Sequence, residues 1–268
     1  MQIDIRADFD HDRVRSLISG RVTDLAIDPD SIATITIASS DADYGDVIRA
    51  SKGFTGGRTH TTGSAGKTLP YRNSTGVVVS DLVLPPETVR EILLGNSDYA
   101  PLYDYVLSHE LGHCSDYNAR GVLQGSPLDD FSVGIEELAA YWAPLTLEEF
   151  AASVHAGRTV SPVQYDMIVG NAERQIMHGM GNPTTFRYQR YWNILCEQAK
   201  VAGTSIGAGS RLEKPAFCKW ARIGDNIITQ LLAYVEDLKA IQRSYPEWNS
   251  ETEKLLTQRC LQLHDTMK

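Results

Sequence analysis

One stretch of the sequence decides the fold, and it reads PLYDYVLSHELGHCSDYN from Pro101 to Asn118. Its apolar residues recur at near-helical spacing and Pro101 suits a first helical turn, so the stretch predicts an α-helix. His109 and His113 stand four positions apart and therefore lie one above the other on the same helix face. Both imidazoles can then reach a single ion, with Glu110 beside them. The stretch predicts a metal-binding helix.

The H-E-x-x-H spacing has a specific chemistry. Two imidazoles suit a zinc ion, and a neighbouring carboxylate can take a proton from water on that ion. A tetrahedral catalytic zinc needs a third protein ligand and keeps its fourth position for water. The motif therefore predicts one catalytic Zn²⁺ held by His109 and His113. Glu110 is the predicted general base for amide hydrolysis, which takes a proton from water and passes it to the leaving amine.

A third ligand is offered by Glu136 and Glu137, which lie some two dozen residues downstream on a second predicted helix. Neighbouring helical residues point about 100° apart, so the two carboxylates cannot both face the metal. Ala139 and Ala143 are small enough to let this helix pack closely on the first. The alternative is that the acidic pair only favours the helix N-terminus through the helix dipole.

Taken together, His109-Glu-Leu-Gly-His113 and Glu136-x-x-Ala139-x-x-Trp142-Ala143 resemble the gluzincin class of zinc metallopeptidases. Within that class the chain looks most like the ImmA/IrrE type, whose third ligand sits in an E-x-x-A-x-x-F-A segment. The resemblance covers only residues 101–144. It implies a zincin-like fold, peptide-bond hydrolysis of a specific protein substrate, and Glu136 rather than Glu137 as the third ligand.

Three positions distinguish this sequence from, or relate it to, other classes of zinc metallopeptidase. Ala140 stands where thermolysin-like enzymes have an Asp, and Ala119 stands where metzincins have a third His. Asp116 completes H-E-L-G-H-C-S-D, which is similar to the H-E-x-G-H-x-x-D of lethal-factor-like toxin peptidases. A delivered toxin or effector metalloprotease is therefore the alternative. Asp116 is expected either to accept a hydrogen bond from a ligand imidazole or to hold the helix end.

An oxyanion donor is expected from the helical part of the chain, where spacing alone selects no residue. The candidates are Tyr165 and His178, with Arg187, Tyr188 and Tyr191 in the same region. A third reading is a zinc-stabilised binding or regulatory protein without turnover. The interpretations differ at Glu110, because a protein that binds zinc only for folding does not need this carboxylate.

The remaining sequence predicts an α+β fold with a small N-terminal mixed sheet and a mostly helical C-terminal half. Residues 1–160 are expected to form the zincin-like catalytic region, and residues 161–268 a helical subdomain that completes or covers the cleft. The strands are expected at Gln2–Arg6, Ile32–Ala38 and Val77–Leu84. The last of these is either an edge strand that pairs with substrate or a buried core strand.

Local signals set further expectations. The Gly, Ser and Thr content of Gly53–Gly76 predicts a loop, of which 54–73 could cover the cleft as a flap. Pro144 is expected to end one helix, with a new one restarting at the capping box Thr146–Glu149. Two more helices are expected to begin at capping boxes, 161–164 and 250–253. A long helical pattern runs from Pro215 to Tyr245.

Composition limits the partners. The 268 residues carry a net charge of −9, which disfavours nucleic acid and membrane surfaces and leaves a protein or peptide substrate as the expected partner. No apolar run suits a membrane span and the N-terminus lacks signal-peptide character. The protein is expected in the cytoplasm, or exported by a route without such a signal. The four scattered cysteines favour free thiols. Oligomeric state is left open.

Overall fold

The computed structural model describes residues 1–54, 65–95, 97–123, 134–181, 187–209 and 225–266. It contains two compact units, Met1–Asp129 and Asp130–Lys268. The division after Asp129 differs from the boundary expected at residue 160, because the helix with Glu136 belongs to the second unit. The predicted α+β class is confirmed, with a small mixed sheet near the N-terminus and a mostly helical remainder.

The first unit contains strands and helices, in the chain order β-α-β-α-β-β-α-α. Its strands are β1 (Gln2–Ile5), β2 (Ile32–Ile37), β3 (Lys67–Arg72) and β4 (Val78–Leu84). Its helices are α1 (His11–Asp24), α2 (Asp41–Ala50), α3 (Pro86–Leu94) and α4 (Ala100–Arg120).

The four strands form a mixed sheet in the order β1-β2-β4-β3. Strands β1, β2 and β4 are parallel, while β3 runs antiparallel to β4. Strand β4 therefore has neighbours on both sides, so its interpretation as an edge strand is wrong and the core-strand alternative is confirmed. The prediction of a loop over Gly53–Gly76 is also wrong at β3, because this segment pairs with β4 and forms a strand. Residues 55–64 of the expected flap lie outside the described residues.

Each face of the sheet packs against helices because side chains alternate along a strand. Ile35 and Leu82 share one buried cluster with Leu107 and Leu111 of α4. The opposite face carries a second cluster, in which Leu69 of β3 and Val83 of β4 pack against Tyr44 and Ile48 of α2. Helix α4 is thus held by the sheet along its apolar side.

The second unit consists of helices in its described parts. They are α5 (Ile135–Gly157), α6 (Pro162–Gly181), α7 (Arg187–Ala208), α8 (Asp225–Gln242) and α9 (Ser250–Thr266). Helix α5 packs mainly against α7 and α9. No described helix combines the length and apolar character needed to cross a bilayer.

Pro144 lies inside α5 and does not end it, so the predicted break is wrong. A proline in a helix interior removes one backbone hydrogen bond and crowds the preceding turn. Buried Trp142, Leu147 and Phe150 on either side keep the helix continuous. The Thr146 hydroxyl donates back to the Ala143 carbonyl at 2.9 Å and therefore does not cap a new helix.

The helix starts differ in how well the sequence predicts them. At α6 the capping box is confirmed: the Gln164 side-chain oxygen accepts from the Ser161 N–H at 2.9 Å, and Ser161 Oγ accepts from the Gln164 N–H at 3.2 Å. At α9 the cap is Asn249 instead of Ser250. Its side-chain oxygen accepts from the N–H groups of Glu251 and Thr252.

Helices α5 and α7 approach each other closely through glycines. A Cβ atom added at Gly203 would lie 2.4 Å from the Phe150 carbonyl oxygen, and one at Gly207 would lie 2.0 Å from the Val154 oxygen. On the other helix, a Cβ at Gly157 would lie 2.3 Å from the Thr204 oxygen. The two backbones are therefore in direct contact, which only residues without a side chain allow.

Candidate metal centre

Helix α4 carries the motif in its central turns. Pro101 lies in its first turn, and Gly121 ends it with a positive φ of 65°, a conformation that favours glycine. Two contacts fasten this end to the sheet strands: Asn118 Nδ2 donates to the Val78 carbonyl at 2.7 Å, and an Arg72 guanidinium nitrogen donates to the Gly121 carbonyl at 2.9 Å. The residues before Gly121 are therefore held in a fixed position on the sheet.

The two imidazoles of the motif lie side by side. The ring centroids of His109 and His113 are 4.7 Å apart with the planes at 83°, and both residues are only 7% exposed. Tyr105 lies one turn before this pair and Tyr117 one turn after it, each with its ring centroid 5.8 Å from the nearer imidazole. Four rings thus form one stripe along the helix, and their packing restricts how the imidazoles turn.

Glu110 is joined to strand β3. The Thr68 hydroxyl lies 2.7 Å from Glu110 Oε2 and 3.0 Å from the Glu110 main-chain oxygen, so it can donate to either acceptor. Glu110 is half-buried, whereas Thr68 is buried. The carboxylate is therefore held at the boundary between the core and the surface of the first unit.

Cys114 belongs to the core of the first unit. It is fully buried among the apolar side chains beneath α4. Burial, and then the negative charge of Glu110, raise the pKa of the Cys114 thiol to about 12. The thiol is accordingly protonated at neutral pH, whereas metal ligation requires a thiolate.

Asp116 is fully buried and forms an ion pair with Arg120 one turn later. The guanidinium meets the carboxylate through two hydrogen bonds, of which that from Nε to Oδ1 measures 2.9 Å. Arg120 is the last residue of α4, so Asp116 holds the helix end, one of its two expected roles. A hydrogen bond from a ligand imidazole to Asp116 stays a prediction.

The other predicted site residues lie in the second unit. Glu136 and Glu137 are exposed in the first turn of α5, while Ala139 and Ala143 are buried. Tyr165 is buried on α6. His178 lies on the same helix, but its side chain is outside the described residues.

A further acidic residue of α5 escaped the sequence analysis. Glu149 is half-buried, and its Oε2 lies 3.4 Å from Lys200 Nζ, which also contacts Glu197 at 3.2 Å. The sequence predicts that Glu149 belongs to a capping box after Pro144, and that box does not form. Its place in the apolar second half of a long helix is the signal that could have singled it out.

Of the candidate residues, the structure therefore places four on α4: His109, Glu110, His113 and Asp116. The molecule is an α+β protein in which an H-E-x-x-H helix packs on a small mixed sheet. Two buried imidazoles that lie side by side on one helix can hold a metal ion. Known protein families, curated proteins and solved structures give no match to this chain. The gluzincin resemblance stays a prediction from the motif.

Proposed function

We propose that this protein is a zinc-dependent metallopeptidase. One observation carries the proposal: the ring centroids of His109 and His113 lie 4.7 Å apart on one side of α4, and Glu110 follows His109 directly on the same helix. The two imidazoles fit zinc, which in catalytic sites takes histidine nitrogen together with a carboxylate oxygen from a third ligand. When bound, zinc supplies Lewis acidity that makes water a nucleophile near neutral pH and polarises a carbonyl oxygen.

Glu110 performs the proton transfers in this proposal. Its carboxylate takes a proton from the attacking water and returns it to the nitrogen of the leaving amine. Both steps need a carboxylate that is held in place and still open to water, and Glu110 is half-buried and hydrogen-bonded on one oxygen. The substrate is a peptide or protein, and its sequence preference is left open.

For the third ligand we propose Glu149. Two histidines and one glutamate are a ligand set of catalytic zinc, and His109, His113 and Glu149 would supply these three donors. The ammonium of Lys200 would then stand behind the ligand carboxylate, as hydrogen-bonding partners often do around metal ligands. The family resemblance assigns Glu136 instead, which is an exposed residue in the first turn of α5.

Zinc titration separates the two assignments. We expect Glu149→Gln to weaken zinc binding by more than about 100-fold, beyond the loss typical of a change outside the ligands. Glu136→Gln should bind zinc like the unchanged protein. Affinities are measured by competition with a chromophoric chelator, with Glu137→Gln as the matched exposed control. Thermal unfolding of the metal-free variants shows whether loss of the Lys200 contact disturbs the fold. If Glu136→Gln alone loses zinc, the family assignment is correct.

Cleavage itself is tested with a mixture of unstructured peptides from a digested proteome, read by mass spectrometry. We expect the zinc-loaded protein to produce new peptide termini, a chelator to stop cleavage, and added zinc to restore it. A protein that binds one zinc ion and cleaves nothing would contradict the peptidase proposal and favour the zinc-stabilised binding protein. A delivered toxin peptidase shares the proposed chemistry and differs only in where it acts.

A further inference from the structure

We propose that Thr68 and Gly66 are positioning residues for Glu110: Thr68 fixes the carboxylate and Gly66 makes room for its stem. The inference deepens the proposed function and rests on it for its catalytic meaning. Neither residue belongs to the H-E-x-x-H motif, and Thr68 is 42 positions from Glu110 in the chain. The first unit alone provides all the contacts.

The Thr68 hydroxyl is aimed at α4 by the sheet. Thr68 pairs with Leu82 across β3 and β4, and Leu82 belongs to the core that α4 covers. Paired residues on neighbouring strands point to the same face, so Thr68 also faces α4. Its neighbour Leu69 packs against α2 on the other face. A buried threonine thereby presents its hydroxyl 2.7 Å from Glu110 Oε2.

This hydrogen bond gives the two oxygens of the Glu110 carboxylate different roles. Oε2 accepts from Thr68, and no other described residue donates to the Glu110 side chain. Oε1 is left for the water whose proton Glu110 takes. A hydrogen bond to an ionised acceptor is stronger than one between neutral groups, so one hydroxyl suffices to favour a single carboxylate orientation.

Gly66 acts on the stem of the same side chain. A Cβ atom at Gly66 would lie 2.8 Å from Glu110 Cγ and 3.2 Å from Leu84 Cδ2. The stem therefore passes directly over the glycine backbone, where any other residue would displace it. The segment is itself anchored, because the Thr88 hydroxyl donates to the Ala65 carbonyl at 2.5 Å. Thr68 and Gly66 thus hold the head and the stem of Glu110.

The test uses all 268 residues and four substitutions, of which Gly66→Ala is the fourth. Thr68→Val keeps the shape and removes the hydroxyl, whereas Thr68→Ser keeps the hydroxyl. Thr36→Val is the matched control: Thr36 is a buried β2 residue flanked by Ile35 and Ile37, which face α4, so it points to the opposite face. Crystal structures show the Glu110 carboxylate, and cleavage of one synthetic peptide, chosen from the sites found in the mixture, gives kcat and KM.

We expect Thr68→Val to release the carboxylate from its position and to lower kcat about 10- to 100-fold, since small misplacements of a catalytic group cost that much. KM and zinc content should change less than about 2-fold, and Thr68→Ser should recover kcat to within about 3-fold of the unchanged protein. Gly66→Ala is expected to move the Glu110 stem in the same crystallographic comparison.

The outcomes separate this inference from the peptidase proposal. If Glu110 stays in place in Thr68→Val, or kcat matches that of Thr36→Val, the positioning role is wrong while the peptidase can stand. If no variant cleaves peptides but Glu110 moves in Thr68→Val and stays in Thr68→Ser, the positioning role holds and the peptidase proposal fails.

Discussion

Glu110→Gln is expected to retain its zinc and to lose about 100- to 10,000-fold in peptide cleavage, the range that a positioned acid or base contributes. Glutamine has the same shape, and its amide oxygen can still accept a hydrogen bond from Thr68. It cannot take up the proton of the attacking water. The loss should therefore fall on kcat, measured with one synthetic peptide chosen from the cleavage sites found in the mixture, while chelator competition gives an unchanged zinc affinity.

The control for this substitution is Glu137→Gln. It removes the same charge from an exposed position in the first turn of α5, where no role in proton transfer is expected. Its cleavage rate should equal that of the unchanged protein. A Glu110→Gln variant that cleaves within about 10-fold of that rate would show that another group is the base. Loss of zinc from the variant would instead assign Glu110 a part in metal binding.

Gly203→Ala is expected to lower the free energy of unfolding by about 3 kcal/mol or more. The added methyl group would meet the Phe150 carbonyl oxygen at 2.4 Å and Ser153 Cβ at 2.8 Å. A carbonyl inside a helix cannot move aside without breaking its own hydrogen bond, so α5 and α7 must separate. Urea unfolding followed by circular dichroism measures the change.

Gly170→Ala on α6 is the matched control. A Cβ at Gly170 would meet nothing within 4 Å. Alanine in a helix interior is favoured over glycine by about 0.5–1 kcal/mol, so this variant should be slightly more stable than the unchanged protein. Equal midpoints for Gly203→Ala and Gly170→Ala would contradict the close contact between α5 and α7.

Local sequence signals predict the elements that depend on local interactions. Helix α4 combines apolar periodicity, a proline at its start and a glycine at its end, so its position is well predicted. The sequence does not predict strand β3, because its glycine-rich surroundings are typical of a loop. The strand forms through backbone hydrogen bonds to β4, which a local pattern does not show. The continuity of α5 through Pro144 was missed because buried side chains outweigh the local cost of the proline.

The same distinction applies to the candidate site. The spacing of His109 and His113 on a helix brings their rings together, and sequence alone predicts that. Thr68 reaches Glu110 from a strand 42 residues earlier, and no local pattern connects them. The sequence predicts a helix end at Pro144, which makes Glu149 a capping residue of the next helix. Because that boundary is wrong, the sequence does not identify Glu149 as a candidate ligand.

The glycine contact between α5 and α7 also prevents the two helices from sliding along each other. If either helix shifted along its axis, the Phe150 and Val154 carbonyl oxygens would no longer face glycines and would collide with larger residues. Glu149 is next to Phe150, and Lys200 is three residues before Gly203. The same glycine contact therefore keeps the Glu149 carboxylate and the Lys200 ammonium opposite each other. The backbone fit thus sets the 3.4 Å separation between Lys200 Nζ and Glu149 Oε2, and this partly buried ion pair does not have to hold the two helices in register on its own.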